Sequence, residues 1–221
     1  MTRRPNPRAD TLGSLAFLGG MVAHNLLYPL SAGPGVWPLL FYIFFASLFV
    51  FGVFRLDQSA VLRRLIVVAA LGVFVVGLAN AYSPASWTRP ALYTAAIAYH
   101  LVMVTTLVRF VFGDDVYTAV VVSATSLYLV LGSAFAPVFA LIEWFEPGSF
   151  VTGMGAAVDW QSFLYFSYVT LTTLGYGDVT PQSFYAQAFA TFEAVVGVLF
   201  TVLLLSRLVG IHAARPRPNR D

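Results

Sequence analysis

The chain has 221 residues, 59% of them hydrophobic and 10% charged, with a mean hydropathy of +0.80 and a net charge of +2. Soluble domains carry about 25% charged residues, so most of this chain belongs in lipid, and the small charge balance points to no nucleic-acid partner. Cysteine is absent, which excludes structural disulfides.

Apolar stretches punctuated by Pro, Gly and Arg predict an all-α membrane protein. The spans fall over Thr11–Leu30, Trp37–Phe54, Leu65–Tyr82, Ala91–Phe112, Val116–Ile142 and Ser183–Val209. Each is long enough to cross a hydrocarbon layer of ~30 Å. The intervening outer loops, 31–36 and 83–90, are short and rich in small residues and Pro. Trp37 and Trp87 lie at their edges, where an interfacial aromatic belt is expected. Every basic side chain is arginine. Arg3, Arg4 and Arg8 precede the first span, Arg55, Arg63 and Arg64 lie between the second and third, and Arg109 closes the fourth. Arg207, Arg215, Arg217 and Arg220 follow the last. With both termini in the cytoplasm and six crossings, only Arg89 falls outside, as the positive-inside rule asks. Reading the N-terminus as a cleaved signal peptide instead leaves an odd number of crossings and turns the remaining arginines outward.

Between the fifth and sixth spans, Asp159 to Thr172 makes roughly three helical turns, too few to cross. Asp159 is suited to cap that helix, and its C-terminal end would aim partial negative charge along a cation path. Thr172-Thr173-Leu174-Gly175-Tyr176-Gly177-Asp178 follows. Two glycines flanking one aromatic let successive residues alternate between left- and right-handed regions, which turns their carbonyls to one side. A glycine-rich turn is the plainer reading of Gly-Tyr-Gly alone. The half-span helix before it, and Val179-Thr180-Pro181 with a full span after it, favour a re-entrant pore loop.

The run Thr172–Asp178 resembles the selectivity filter of the tetrameric potassium channels, with Leu174 where the commonest version has valine. Tyr128-Leu129-Val130-Leu131-Gly132, the loop Glu146–Phe150 and Arg207-Leu208-Val209-Gly210 extend the likeness to small bacterial six-span potassium channels without an arginine-rich voltage sensor. The resemblance covers about Val116–Gly210. It implies a homotetramer in lipid, with potassium held by the carbonyls of Thr173, Leu174, Gly175 and Tyr176 in place of its water shell. The Thr173 hydroxyl would complete the innermost site, while Gly177 and Asp178 would form the outer mouth. Thr172 would lead into the filter, and the Tyr176 ring would wedge against Tyr165 and Phe166. Val169 stands where some bacterial channels carry a glutamate that meets the mouth aspartate, so that carboxylate pair is missing here.

Glu143, Glu146, Asp159 and Asp178 occur from 143 to 178 without any basic residue. They read either as scattered surface acids or, repeated around a tetramer, as a vestibule that concentrates cations. Gly197 stands where the resemblance implies a hinge; close helix packing is the equal alternative. From Gly197 the helical repeat puts Val198, Thr201, Leu205 and Val209 on one face, the expected cavity lining and constriction. Glu193, one turn earlier, is an ionisable group within a span and so a functional candidate. A protonated or hydrogen-bonded acid tucked behind the filter is the favoured reading. His24, Asn25 and His100 lie in peripheral spans, where interhelical hydrogen bonds are the expected use and proton sensing the alternative.

The fourth span offers Arg109 alone. One charge crossing 100 mV yields only about 2.3 kcal/mol, so a conventional voltage sensor is not expected. The chain divides into a peripheral four-helix region (1–113), a pore domain (114–210) and a short cytoplasmic tail (211–221). The expected function is passive potassium conduction across a bacterial or archaeal plasma membrane, with no cofactor beyond the permeant ion. The alternative is a non-conducting regulatory subunit or potassium sensor. Nothing in the sequence supports an enzyme: there is no nucleophile–His–acid set, metal-ligand cluster or phosphate-binding loop.

Overall fold

A computed structural model of the chain describes residues 7–56, 59–113, 117–153 and 158–213. Arg3, Arg4, Arg215, Arg217 and Arg220, most of the expected tail, and the junction at 114–116 lie outside the described residues. Seven helices and two short strands follow one another: α1 (Pro7–Leu27), α2 (Trp37–Leu56), α3 (Ala60–Tyr82), α4 (Thr88–Gly113), α5 (Tyr117–Phe145), β1 (Phe150–Thr152), α6 (Trp160–Leu171), β2 (Val179–Pro181) and α7 (Phe184–Ala213). All but α6 are long and apolar enough to cross a membrane, and the chain is a multi-pass membrane protein.

Helix ends differ from the hydropathy boundaries for identifiable reasons. The first span continues through a 3-10 turn, Tyr28–Ala32, in which Pro29 lacks the amide that would prolong α1. Helix α3 starts before Arg63 and Arg64 because Ser59 caps it, its hydroxyl accepting from the Leu62 amide at 3.4 Å. Hydropathy marks where lipid begins; the cap marks where the helix begins.

Helix α5 is the wall shared by both halves of the fold. It packs against α4 and α1 and also against α6 and α7. The peripheral interior is aromatic: Phe17, Phe41, Phe45, Phe49 and Tyr99 are all buried. Tyr99 stacks on Phe49 with ring centres 4.5 Å apart, and its hydroxyl lies 2.6 Å from the Phe45 carbonyl. His24 and His100 are enclosed in this cluster, where interhelical hydrogen bonds were the expectation. Among the described residues neither histidine makes one. His24 packs beside the rings of Phe41 and Phe45, and His100 Nδ1 donates to the Ala96 carbonyl of its own helix at 2.7 Å. Asn25 donates back to Met21 at 2.9 Å, and its side chain also meets the Tyr168 hydroxyl of α6.

A second interior forms between the C-terminal half of α5 and α6 from Phe139, Phe150, Phe163 and Phe166. Ring packing and a hydrogen bond tie it to the first four helices. The Tyr93 and Trp160 rings stack at 6.4 Å, and Gln161 Nε2 donates to Ser31 Oγ at 3.4 Å.

Candidate functional site

Helix α6 is seated on α5 through a notch at Gly132. A Cβ at that position would meet the Tyr168 ring at 2.2 Å, so a side chain there would displace the ring. With the notch open, Tyr168 donates to the Leu129 carbonyl at 2.7 Å, and Ser167 donates to the Gly132 carbonyl. At the other end Asp159 caps the helix as expected, Oδ1 accepting from the Ser162 amide at 2.7 Å.

The chain leaves α6 at Thr172, whose hydroxyl donates to the Tyr168 carbonyl at 2.6 Å. Beyond it the backbone alternates. Thr173, Gly175 and Gly177 have positive φ, at 57°, 61° and 76°, while Leu174 and Tyr176 between them do not. Two glycines meet this demand without cost; Thr173 meets it at a strain of about 1–2 kcal/mol. The Leu174 amide donates to the Val169 carbonyl at 2.9 Å and the Gly175 amide approaches the same oxygen at 3.4 Å, so the loop hangs from the last turn of α6. Among the described residues, no hydrogen bond is donated to the carbonyls of Thr173, Leu174, Gly175 or Tyr176. Four consecutive acceptors are thus left available for another partner.

The far end of the loop, at Tyr176–Asp178, is braced by side chains and by backbone. Tyr165 stacks on Tyr176 with ring planes 3° apart, and its hydroxyl donates to Asp178 Oδ2 at 2.7 Å. That hydrogen bond is the leading reason the Tyr165 hydroxyl is pushed up to about 12. Asp178 Oδ1 accepts from the Val179 amide at 3.1 Å, and the Asp178 carbonyl accepts from Gly153 at 3.0 Å. Strand β2 then pairs antiparallel with β1, Phe150 opposite Pro181 and Thr152 opposite Val179. Phe166, expected beside Tyr176, is not there. One residue on from Tyr165 it is rotated by about 100° and packs on Phe139 and Phe150 at 5.0 and 5.4 Å.

The acids around this end of the loop are mostly engaged in shaping the backbone. Glu143 was a candidate for a vestibule charge; its two oxygens accept from the Gly148 and Phe150 amides at 2.9 and 3.0 Å, which folds the loop into β1. The Glu-Pro-Gly turn that follows is the signal that could have shown this. Asp159 and Asp178 are the cap and the brace already described.

On α7, Glu193 and Gly197 face inward. Glu193 is fully buried, with Oε1 2.5 Å from Ser167 Oγ. A Cβ on Gly197 would lie 2.0 Å from the Leu171 carbonyl oxygen. That close approach accounts for a glycine without a hinge. Val198, Thr201, Leu205 and Val209 are left exposed by the rest of the chain. The N-terminal end of α7 is equally bare: Phe184 is 90% exposed.

The profile of a family described as "Ion channel" matches residues 91–212, more than half of the chain. The chain belongs to that ion-channel family. It is 37% identical to two pore potassium channel c of Oryza sativa over 82 residues, 37% of this chain and 16% of that protein. It is 39% identical to two-pore potassium channel 2 of Arabidopsis thaliana over 84 residues, 38% of this chain and 17% of that protein. It is also 33% identical to probable potassium channel protein 2 of Methanocaldococcus jannaschii over 87 residues, 39% of this chain and 21% of that protein. The chain therefore aligns with about a fifth or less of each of these relatives. No solved structure matches it.

Proposed function

We propose that four copies of the chain assemble around one axis as a potassium-selective channel of the plasma membrane. The observation that carries this reading is the alternating backbone from Thr173 to Gly177, with four carbonyls that no group among the described residues engages. Such a column suits an ion that sheds its water for backbone oxygens. One chain supplies one column and cannot surround an ion, so four are required. The uncovered apolar length of α7 gives the copies surface to bury against one another. The relatives' names point the same way, since each is called a potassium channel.

In this reading α6 and the following loop re-enter the membrane from outside, and Asp178 stands at the mouth. Val198, Thr201, Leu205 and Val209 line the inner cavity. The arginine distribution supports cytoplasmic termini. Peripheral helices without an arginine ladder make the channel something other than conventionally voltage-gated.

Native mass spectrometry and potassium flux into liposomes holding the purified protein test the proposal together. A four-chain mass and flux above empty liposomes are expected. A monomeric or dimeric mass under conditions that preserve other channels contradicts it. A tetramer without flux would favour a regulatory subunit.

A further inference from the structure

Glu193 of α7 and Ser167 of α6 both have no exposed surface. Ser167 Oγ lies within hydrogen-bonding distance of two oxygens at once: the Gly132 carbonyl of α5, and Glu193 Oε1 at 2.5 Å. A serine hydroxyl has one proton to donate, and a backbone carbonyl can only accept. The contact with Gly132 therefore uses the serine proton. The remaining short oxygen–oxygen contact needs a proton from the other side. We propose that Glu193 is held as a neutral carboxylic acid that donates to Ser167, which donates in turn to Gly132. Two hydrogen bonds running in one direction then tie the inner helix, the short helix and the outer helix together behind the loop.

The surroundings fit a neutral acid and not a carboxylate. A buried charge needs a cation or several donors. Helices α5 and α6 contain no basic residue, and α7 has none within the span before Arg207, about 20 Å further along at 1.5 Å per residue. The ionisable groups that face Glu193 are Tyr128 of α5 and Tyr168 of α6, both phenols. Tyr168 commits its proton to the Leu129 carbonyl at 2.7 Å. Among the described residues, Glu193 Oε2 receives no hydrogen bond. An unfilled acceptor costs less on the carbonyl oxygen of a neutral acid than on a carboxylate.

In this role Glu193 is a positioning residue. It holds α7 against α6 one turn before the point where Gly197 meets Leu171. It also places a carboxyl group near the ion path without placing a charge there. The bracing role rests on the channel reading above; the proton on Glu193 does not, so the two can fail separately.

The test is infrared difference spectroscopy of the wild type against E193Q, both as full-length protein in liposomes at neutral pH, with rubidium uptake measured on the same preparations. Expected is an acid C=O band in the wild type that is absent from E193Q, shifts in deuterated buffer and moves to higher frequency in S167A. E193Q is expected to keep wild-type uptake, because the glutamine amide donates to Ser167 in the same sense. E193V and S167A, which break the chain of bonds, are expected to lose uptake and melt lower. A carboxylate stretching band in place of the acid band overturns the proposal. So does an E193Q channel that fails as completely as E193V while the wild type conducts. If the wild type itself does not conduct, the channel reading falls and the infrared band still decides the protonation state.

Discussion

Replacing Gly197 by alanine separates two uses of a glycine in the last helix. As a hinge residue, Gly197 costs helix stability; alanine would recover about 1 kcal/mol per chain and stiffen the helix. The structure predicts the opposite sign. The added Cβ would stand 2.0 Å from the Leu171 carbonyl oxygen and 3.0 Å from its carbon. Both are backbone atoms, so no rotamer change can relieve the clash. Overpacking of this kind costs about 1–3 kcal/mol, which outweighs the helix gain and leaves a net loss of up to about 2 kcal/mol per chain. Four chains would multiply it. Leu171 is the last residue of α6, so a shift there carries directly into Thr172 and Thr173. Differential scanning fluorimetry in detergent should show Gly197→Ala melting several degrees below wild type, and liposome uptake should fall with it. A variant that melts at or above the wild-type temperature, with only its opening altered, would refute the packing argument and restore the hinge.

Gly175→Ala should abolish potassium-over-sodium preference: its φ of +61° is costly for any L side chain, although nothing crowds the site. Preserved selectivity in uptake assays would contradict the filter geometry. For Tyr165 the sign runs as for any raised tyrosine: its contribution is full below the ordinary value of about 10 and is lost as pH rises through about 12. Uptake and melting should therefore be flat between external pH 7 and 9, while Tyr165→Phe should loosen the mouth and shorten sustained current; a wild-type alkaline loss starting near pH 8 that Tyr165→Phe removes would contradict this. Voltage dependence should be shallow, since α4 carries only Arg89 and Arg109, one at each end. Tail-current analysis giving three or more gating charges per subunit would contradict it.

Six spans, the Asp159 cap and the loop from Thr172 to Asp178 were legible because each rests on local chemistry: apolar length, a capping carboxylate, and paired glycines around an aromatic. What escaped depends on partners far along the chain. The pairing of Phe150–Thr152 with Val179–Pro181 involves three-residue strands too short to show any periodicity. The positive φ of Thr173 has no compositional mark, because threonine rarely adopts it. Glu143 was visible as an acid, but its role depends on amides five and seven residues away. Gly132 was quoted as part of a likeness to other channels, while its reason, the Tyr168 ring pressed against it, exists only in the packed structure. Phe166 and Tyr165 are adjacent in sequence, and only the rotation of α6 decided which one meets Tyr176.

The central claim is that the backbone oxygens of Thr173–Tyr176 select potassium, and the most direct measurement is the reversal potential of single channels between potassium on one side and sodium on the other. A reversal far toward the potassium equilibrium is expected, with rubidium able to replace potassium and sodium carrying almost no current. A reversal near zero in protein that is tetrameric and conducting would contradict it.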